Sequence, residues 1–186
     1  MSTMTEESTG FEVWIGCLAC YNAGNLRGQW YPASEAGEVT PNELHNGPGW
    51  RGVTEPAHPH EELWVMDTDN APAGYNREMS PSEAQEVADR LAELGDGGPA
   101  YFAYADALGG DLPDVEEFRD AYEGTFETFR DYADELADEL TSVSKDADDL
   151  LSRYFDYAAF ARDLLLGGDY FTEPAPEGGV YVFRSI

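Results

Sequence analysis

The excess of acidic over basic residues is the strongest constraint on this chain of 186 residues. It has 38 Asp and Glu against 10 Lys and Arg, and its formal net charge is −28. A protein that binds DNA or RNA needs a cationic surface to displace counterions from the phosphates, and anionic membranes repel a chain of this charge. We therefore expect neither nucleic acid nor a membrane as a partner.

The apolar content is high enough for a folded protein despite this charge. Hydrophobic residues make up 42% of the chain and aromatic residues 13%, whereas acidic chains that stay disordered are poor in both. The length fits one to three small domains. There is no run of about 18 apolar residues, and the polar N-terminus does not resemble a signal peptide. We expect a cytoplasmic protein with a disordered tail at residues 1–9.

The chain has two cysteines, Cys17 and Cys20, in a single Cys-x-x-Cys. They lie in an apolar segment that is predicted to be a strand, where side chains three residues apart point to opposite faces. A zinc site also needs four ligands, and His58 and His60 could contribute only if the fold brings them close. The pattern favours two small buried thiols, with a redox pair as the alternative, and it predicts neither a metal site nor a cofactor.

A β-rich N-terminal domain is predicted for residues 1–78. Residues 11–21 are rich in apolar, aromatic and β-branched side chains, which predicts a strand. The Asn-Ala-Gly-Asn sequence that follows indicates a turn, so that residues 26–31 form the second strand of a hairpin. Residues 61–67 predict a third strand. The expected structure is a small antiparallel sheet with long loops.

A helical middle domain is predicted for residues 79–120. The Ser-Pro-Ser-Glu sequence at residues 80–83 is a capping box with proline at the first helical position. The helix that it starts is expected to end at Gly95. Two further helices are predicted, one over residues 99–108 and one that begins at Pro113.

An α+β C-terminal domain is predicted for residues 121–186. Thr125 is the candidate N-cap of an amphipathic helix, whose apolar residues from Phe126 to Leu140 recur every three or four positions. Asp156 is predicted to cap a second helix. Residues 170–183 predict a terminal β-hairpin.

The acids are unevenly distributed, and residues 101–168 carry 18 acids and five bases. Acids three or four residues apart on a helix lie about 5–6 Å apart at Cβ, which is close to the phosphate repeat of a nucleic-acid strand. Like charges at this spacing destabilise an isolated helix, so such a face indicates another role. Duplex DNA carries one charge per about 1.7 Å, so 28 charges correspond to roughly 48 Å, or about 14 base pairs.

Composition alone is equally compatible with mimicry of DNA and with adaptation to high salt, because both produce an acid excess with few lysines. The second alternative makes the chain an acidic binding or structural protein of a salt-adapted host. Calcium binding is not favoured, because Asp146, Asp148 and Asp149 lack the Gly and the terminal Glu of an EF-hand. No catalytic signature such as Gly-x-Ser-x-Gly is present, and we expect no enzyme.

Three stretches resemble the ArdA antirestriction family, in the order in which that family has them. Residues 21–30, YNAGNLRGQW, resemble its N-terminal signature of a Tyr-Asn turn followed by Gly-x-Trp. Residues 122–138 resemble the family's Tyr-x-Gly-x-(Phe/Tyr) entry into an acidic helix. The C-terminal stretches 158–164, 168–171 and 179–184 are similar to the family's end.

The resemblance implies an elongated α+β protein with three small domains in tandem, which dimerises through the C-terminal domain. Proteins of this family mimic bent B-form DNA and occupy the DNA-binding groove of type I restriction–modification enzymes. Incoming plasmid or phage DNA, which is mobile genetic material, thereby escapes cleavage. The chain departs from the family over residues 31–59, which are rich in Gly, Pro and His. A non-enzymatic, homodimeric inhibitor is therefore the implied function.

The acids of the second half are the candidate phosphate mimics. We expect them to act collectively, so that neutralising two or three costs little and neutralising eight or more on one face abolishes inhibition. The candidates are Glu116, Glu117, Asp120, Glu123, Glu127, Asp131, Asp134, Glu135, Asp138, Glu139, Asp146, Asp148, Asp149 and Asp163.

Overall fold

The computed structural model describes residues 10–46, 60–142 and 155–185. The chain forms two compact units, residues 1–98 and residues 99–186, which we call unit 1 and unit 2. Each unit combines helices with a three-stranded antiparallel sheet, which confirms the α+β class predicted from the sequence. Within the described ranges, none of the helices has the length and apolar character needed to span a bilayer.

Unit 1 is built on the predicted antiparallel sheet. Its strands are β1 (Glu12–Cys17), β2 (Gly28–Pro32) and β3 (Leu63–Asp69), and they lie in the order β2-β1-β3. Val13 and Ile15 of the central strand are fully buried, because alternate residues of a strand point to the same face. The hairpin and the third strand are confirmed.

The strand predicted over residues 11–21 is wrong in its second half. The last residue of β1 to pair with a neighbouring strand is Cys17, opposite Leu63. The Leu18 N–H still donates to the Glu62 carbonyl oxygen at 3.1 Å, and beyond it the backbone polar groups are satisfied within the chain's next turn. The chain therefore forms a short helix, α1 (Leu18–Asn22). Cys20 lies on this helix and not on a strand, so the argument that the two cysteines face opposite sides does not hold.

Two further α-helices complete unit 1. They are α2 (Pro41–Asn46) and α3 (Pro81–Leu94), and a 3₁₀ helix lies at Ala33–Glu38. The predicted N-cap is confirmed, because the Ser80 hydroxyl accepts a hydrogen bond from the Glu83 N–H at 3.1 Å, while the Glu83 carboxylate accepts from Arg77 Nη2 at 2.8 Å. The buried side of α3 packs along the 3₁₀ helix and against the sheet.

Unit 2 has two helices followed by the first strand of its own sheet. The helices are α4 (Gly98–Ala107) and α5 (Val115–Ala121). The strands are β4 (Tyr122–Phe126), β5 (Tyr170–Pro174) and β6 (Val180–Arg184), in the order β4-β6-β5. The antiparallel pairing of β5 with β6 confirms the predicted terminal hairpin.

The core of unit 2 consists largely of aromatic rings. Phe183 on β6 is fully buried, and its ring centroid lies 5.2 Å from that of Tyr104 and 5.1 Å from that of Phe171. Tyr101 and Phe118 meet edge to face at 5.3 Å. Aromatic pairs at these distances stabilise a fold beyond the effect of the area that they bury.

The predicted start of the long acidic helix is wrong. Residues 122–126 form β4, which pairs with β6, and the helix α6 spans Phe129–Ser142. Its cap is Thr128 and not Thr125. The Thr128 N–H donates to Asp131 Oδ2 at 2.9 Å, and the Asp131 N–H donates to Thr128 Oγ1 at 3.3 Å, which is a reciprocal cap. The partner strand is distant in sequence, so local capping rules could not reveal it.

The last helix, α7 (Tyr157–Gly167), packs against α6. As predicted, Asp156 caps it, and its carboxylate accepts a hydrogen bond from the Ala159 N–H at 3.0 Å. Gly168 ends the helix in the left-handed conformation that favours glycine. A buried cluster joins α6, α7 and β6, and its members are Phe129, Tyr132, Ala133, Ala161 and Val182.

The predicted division into domains 1–78, 79–120 and 121–186 stays a prediction. Its first boundary lies inside unit 1, where α3 packs against β3. Its second boundary lies inside unit 2, where α5 contacts β6. The predicted tail at residues 1–9, and residues 47–59 of the segment that departs from the family, lie outside the described residues.

Candidate functional site

The polar face of α5 carries three of the candidate acids. The helix begins at Val115, two residues later than predicted from Pro113, because the Asp114 carboxylate accepts a hydrogen bond from the Glu116 N–H at 2.8 Å and caps it. Val115 and Phe118 are buried, so the helix has one apolar and one polar side. The exposed acids on the polar side are Glu116, Glu117 and Asp120.

α6 presents a stripe of acids opposite its buried face. With 3.6 residues per turn, residues at i, i+4, i+7 and i+8 lie on one side of a helix, and the exposed acids recur at this spacing. The stripe covers about 12 Å of helix length at a rise of 1.5 Å per residue. Because the opposite side packs into the core, the stripe is held rigidly at the surface. Its members are Asp131, Glu135, Asp138 and Glu139.

Every arginine that the structure describes in unit 2 lies within 4 Å of an acid of the same unit. Exposed pairs of this kind contribute only about 0–1 kcal/mol each. The described ranges of unit 2 hold 18 acids and four arginines, so the pairing leaves most of the acid excess in place. The pairs are Arg119 with Glu116, Arg130 with Asp134, Arg162 with Asp163, and Arg184 with Glu123.

Glu123 and Glu127 are not helical residues. Glu123 is half-buried on β4, and its carboxylate lies 2.6 Å from Arg184 Nη2. A hydrogen bond that Arg184 donates to the Tyr170 side chain, together with the charge of Glu123, raises the pKa of Arg184. Burial, together with Tyr170 and Glu123, raises the pKa of Tyr132. Glu123 therefore serves an internal pair, whereas Glu127 is exposed in the turn before α6.

Asp138 links the acidic stripe to α7. The Tyr157 hydroxyl donates a hydrogen bond to Asp138 Oδ1 at 2.7 Å, and this bond raises the pKa of Tyr157. Asp163 lies exposed on α7 beside Arg162. Helices α6 and α7 thus pack against each other, and α5, α6 and α7 of this unit all carry acids on their exposed sides. The remaining candidates, Asp146, Asp148 and Asp149, lie outside the described residues.

An acidic helix face in unit 1 is missing from the candidates. Glu86, Asp89 and Glu93 are exposed on α3 at i, i+3 and i+7, and Ala84 and Val87 are buried. Unit 1 holds 17 acids and four bases, and unit 2 holds 21 acids and six bases. The acid excess is therefore nearly even between the units. The helical spacing of the acids on α3 is visible in the sequence. It was missed because the acids were counted over segments, such as residues 101–168, whose ends do not coincide with the two units.

The residues of the Gly-x-Trp signature lie beside an aromatic groove of unit 1. A cavity of about 520 Å³ is lined by Trp14, Trp30, Tyr21 and neighbouring side chains. Tyr21 is 58% exposed and Trp30 42% exposed. A Cβ atom at Gly28 would lie 2.3 Å from the Trp14 ring, so only glycine fits at that position of the signature.

A family model described as Antirestriction protein (ArdA) matches residues 13–176 of the chain. The match extends across both compact units. No curated protein matches the sequence. The match confirms the resemblance to the family, and it spans the quoted stretches except residues 179–184, which lie beyond it. It lends no support to the alternative of a general acidic protein of a salt-adapted host.

Proposed function

The chain belongs to the ArdA antirestriction family, and from this we propose that it inhibits a type I restriction–modification enzyme by occupying the groove that otherwise binds DNA. The inhibitor is not an enzyme and needs no cofactor for this role. It acts inside the cell, where it binds a protein partner and neither nucleic acid nor a membrane. Its carboxylates take the place of DNA phosphates.

The observation that carries the proposal is the acidic stripe on α6 together with the polar face of α5. These exposed carboxylates are mounted on helices whose other sides are buried, so their spacing is set by helix geometry and not by flexible loops. A groove that binds DNA presents cations at the spacing of phosphates, and it would meet acids at a comparable spacing here. Each contact is weak, and the sum gives affinity.

The physical consequence of such binding is a strong dependence on salt. Binding of acids to a cationic groove releases counterions, as binding of DNA does. Complementary charge also accelerates the encounter of the two proteins. We expect inhibition to weaken by at least about tenfold between about 50 mM and 200 mM salt. Tight inhibition that does not change over this range would contradict charge-based competition.

The proposal includes a homodimer and a tandem arrangement of small domains, as the family resemblance implies. A dimer would carry twice the charge of one chain, which corresponds to roughly 28 base pairs of duplex DNA. Sedimentation of the full chain tests this part separately. A monomer at the concentration that inhibits the enzyme would exclude the dimer without excluding competition for the groove.

The decisive experiment is competition between the protein and DNA for a purified type I enzyme. Labelled DNA bound to the enzyme is titrated with the protein, and the reverse titration follows release of the protein by DNA. Mutual exclusion is the expected result. Simultaneous binding of DNA and protein to one enzyme would overturn the proposal.

A variant with neutralised acids tests whether the acids of unit 2 are responsible for inhibition. The test set replaces eight acids by Asn or Gln, leaves the Asp131 cap intact, and should weaken inhibition on the order of 100-fold or more. A folded variant that inhibits fully would contradict the proposed surface. The eight residues are Glu116, Glu117, Asp120, Glu127, Glu135, Asp138, Glu139 and Asp163.

A matched control removes the same charge from unit 1, away from its helix α3. Total charge falls equally in both variants, but the control leaves the acids of α5 and α6 intact, so it should retain most of the inhibition. Equal losses would attribute inhibition to bulk charge and not to the faces of α5 and α6. The control residues, exposed in the structure, are Glu35, Glu38, Glu61, Glu62, Asp67, Asp69, Glu78 and Asp96.

A further inference from the structure

Four side chains with metal-binding atoms meet in the interior of unit 1. They are Cys17 at the end of β1, Cys20 on α1, His45 on α2 and His60 just before β3. Their sulfur and ring nitrogen atoms all lie within 4.8 Å of one another. We propose that these four residues bind one structural Zn²⁺ ion through two thiolates and two imidazoles.

Three sulfur–nitrogen distances in the cluster are close to those of a tetrahedral zinc site. Cys17 Sγ lies 3.3 Å from His60 Nδ1, and Cys20 Sγ lies 3.3 Å from His45 Nε2 and 3.5 Å from His60 Nδ1. In a tetrahedron with Zn–S bonds of about 2.3 Å and Zn–N bonds of about 2.0–2.1 Å, sulfur and nitrogen lie roughly 3.6 Å apart. For these three sulfur–nitrogen pairs the difference from a tetrahedral site is a few tenths of an ångström or less, and the 4.8 Å limit on all pairs leaves room for one ion between the four atoms.

A neighbouring carbonyl sets the tautomer of His45. His45 Nδ1 lies 2.6 Å from the Pro41 carbonyl oxygen. A carbonyl oxygen can only accept a hydrogen bond, so Nδ1 carries the proton and Nε2 keeps its lone pair. Nε2 is the atom that faces Cys20. Metal-binding histidines usually donate their second N–H in this way, which orients the ring and strengthens it as a ligand.

The surroundings fit a structural site that is largely buried. Cys17 and Cys20 are fully buried, His45 is 7% exposed, and His60 is half-buried. Leu44 packs into the same cluster, with Ala19, Tyr31 and Leu63 around it. Two buried thiolates would be costly without a compensating cation. Soft thiolates combined with imidazoles favour zinc over the hard cations calcium and magnesium.

Local sequence patterns could not reveal this site. The expectation that no metal binds depended on placing Cys20 in a strand, and the helix α1 turns it towards Cys17. The histidines are 15 positions apart, far from the His-x₃₋₅-His spacing of common zinc fingers. Only the tertiary structure joins residues that are 40 and 43 positions apart in sequence.

The ion would connect three segments of unit 1 that are otherwise held by a small sheet. It joins the β1–α1 junction, α2 and the residue that leads into β3. Binding to the folded state alone adds the free energy of metal binding to the free energy of folding. Small domains with limited cores commonly use a metal in this way.

Metal content of the full-length wild-type chain is the first test. The protein is incubated with zinc under reducing conditions, desalted and analysed by mass spectrometry for bound metal. One Zn²⁺ per chain is expected. Replacement by Co²⁺ should produce the visible absorption of a tetrahedral cobalt–thiolate site, and a chelator should lower the melting temperature of unit 1. Zinc below about 0.2 per chain, with no cobalt spectrum, overturns the proposal.

Variants assign the ligands. The Cys17→Ser, Cys20→Ser double variant and His45→Gln should each lose the bound zinc and the cobalt spectrum. Val87→Ala is the matched control, since it removes fully buried methyl groups from α3 but no ligand, and it should keep one zinc per chain. Stoichiometric zinc in the double variant would overturn the assignment. So would a Cys17–Cys20 disulfide in the wild-type chain under the same reducing conditions.

Discussion

The two units carry similar acid excesses but differ in what fills their interiors. The largest fully buried side chains of unit 2 are aromatic, with Tyr101, Phe102, Tyr104 and Phe183 among them. In unit 1 Tyr75 is aromatic, but most of the others, such as Ile15, Leu44 and Val65, are aliphatic. Unit 1 also contains the cluster of cysteine and histidine. Aromatic side chains bury about 150–250 Å² each and dominate core energetics. Comparable self-repulsion is therefore opposed by large rings in unit 2.

Unit 1 has less of this aromatic burial, and the proposed metal ion would supply the missing cross-link. Its sheet is three strands wide, and its packing depends on α3 and on short helical segments. The comparison indicates that an acidic surface does not prescribe one kind of core. Any core that offsets the repulsion among the surface acids allows the same acidic surface. The arrangement of the acids can then follow from the protein that binds them.

Removal of a central ring of unit 2 should have the largest effect. Phe183→Ala deletes a fully buried ring that contacts Tyr104, Tyr122 and Phe171, and it should lower the free energy of unfolding of unit 2 by about 3–5 kcal/mol. Hydrogen exchange during urea unfolding measures each unit separately. Leu166→Ala, at a residue that is 77% exposed, is the control and should cost less than about 0.5 kcal/mol.

The same experiment tests whether the units are independent. Zinc content and exchange in unit 1 should not change in Phe183→Ala. A loss of protection in both units would show that they unfold together, and the comparison between their cores would then lose its basis.

Removal of a helix cap should have an intermediate and nearly equal effect in both units. Ser80→Ala in unit 1 and Asp156→Ala in unit 2 each delete a side chain that accepts a hydrogen bond from a backbone N–H group. Each should cost about 1 kcal/mol, because capping is local and does not depend on the type of core. Urea unfolding with the same exchange readout checks this. A cost below about 0.3 kcal/mol at either position would contradict the local account.

Neutralising the Glu173 carboxyl group of unit 2 should change stability the least, and the change should depend on pH. Desolvation, with the charge of Asp106 adding to it, raises the pKa of Glu173. Because the pKa of Glu173 is higher in the folded than in the unfolded protein, the fold favours the protonated carboxyl group. The stability that this group contributes is therefore present at low pH and is lost as the pH rises through its folded pKa. Glu173→Gln should therefore stabilise unit 2 slightly at pH 7 and have no such effect below about pH 4.

The control for this effect removes an equal charge from an exposed site. Glu177→Gln changes an exposed residue in the turn between β5 and β6. Melting curves of both variants from acidic to neutral pH separate desolvation from the general relief of repulsion. If both variants stabilise the protein equally at pH 7, burial of Glu173 is not the cause.

Local signals in the sequence predicted several elements correctly. The Ser80 cap, the Asp156 cap and the terminal hairpin depend on residues within a few positions of one another, and all three are present. The acids of α5 and α6 lie on exposed helix faces for the same reason, since helical spacing alone separates a polar side from an apolar one. These parts required no knowledge of distant contacts.

Two elements that depend on distant partners were predicted incorrectly, although the third strand of unit 1 was predicted correctly. Residues 122–126 form a strand because β6 pairs with them, and so Glu123 faces Arg184 and is not part of a helical stripe. The first strand stops at Cys17 because its ladder ends there. In both cases the local pattern allowed two conformations, and pairing with another segment selected one.

The sequence by itself determined the net charge, the helical spacing of the acids and the motifs of the antirestriction family, because these are properties of residues close together in the chain. The tertiary structure decided which acids pair internally and which stay exposed. It also decided that Cys17 and Cys20 meet His45 and His60, since their approach requires the turn at α1 and the packing of α2 beside the sheet. Contacts between distant segments follow from the whole fold, which local chemistry does not specify.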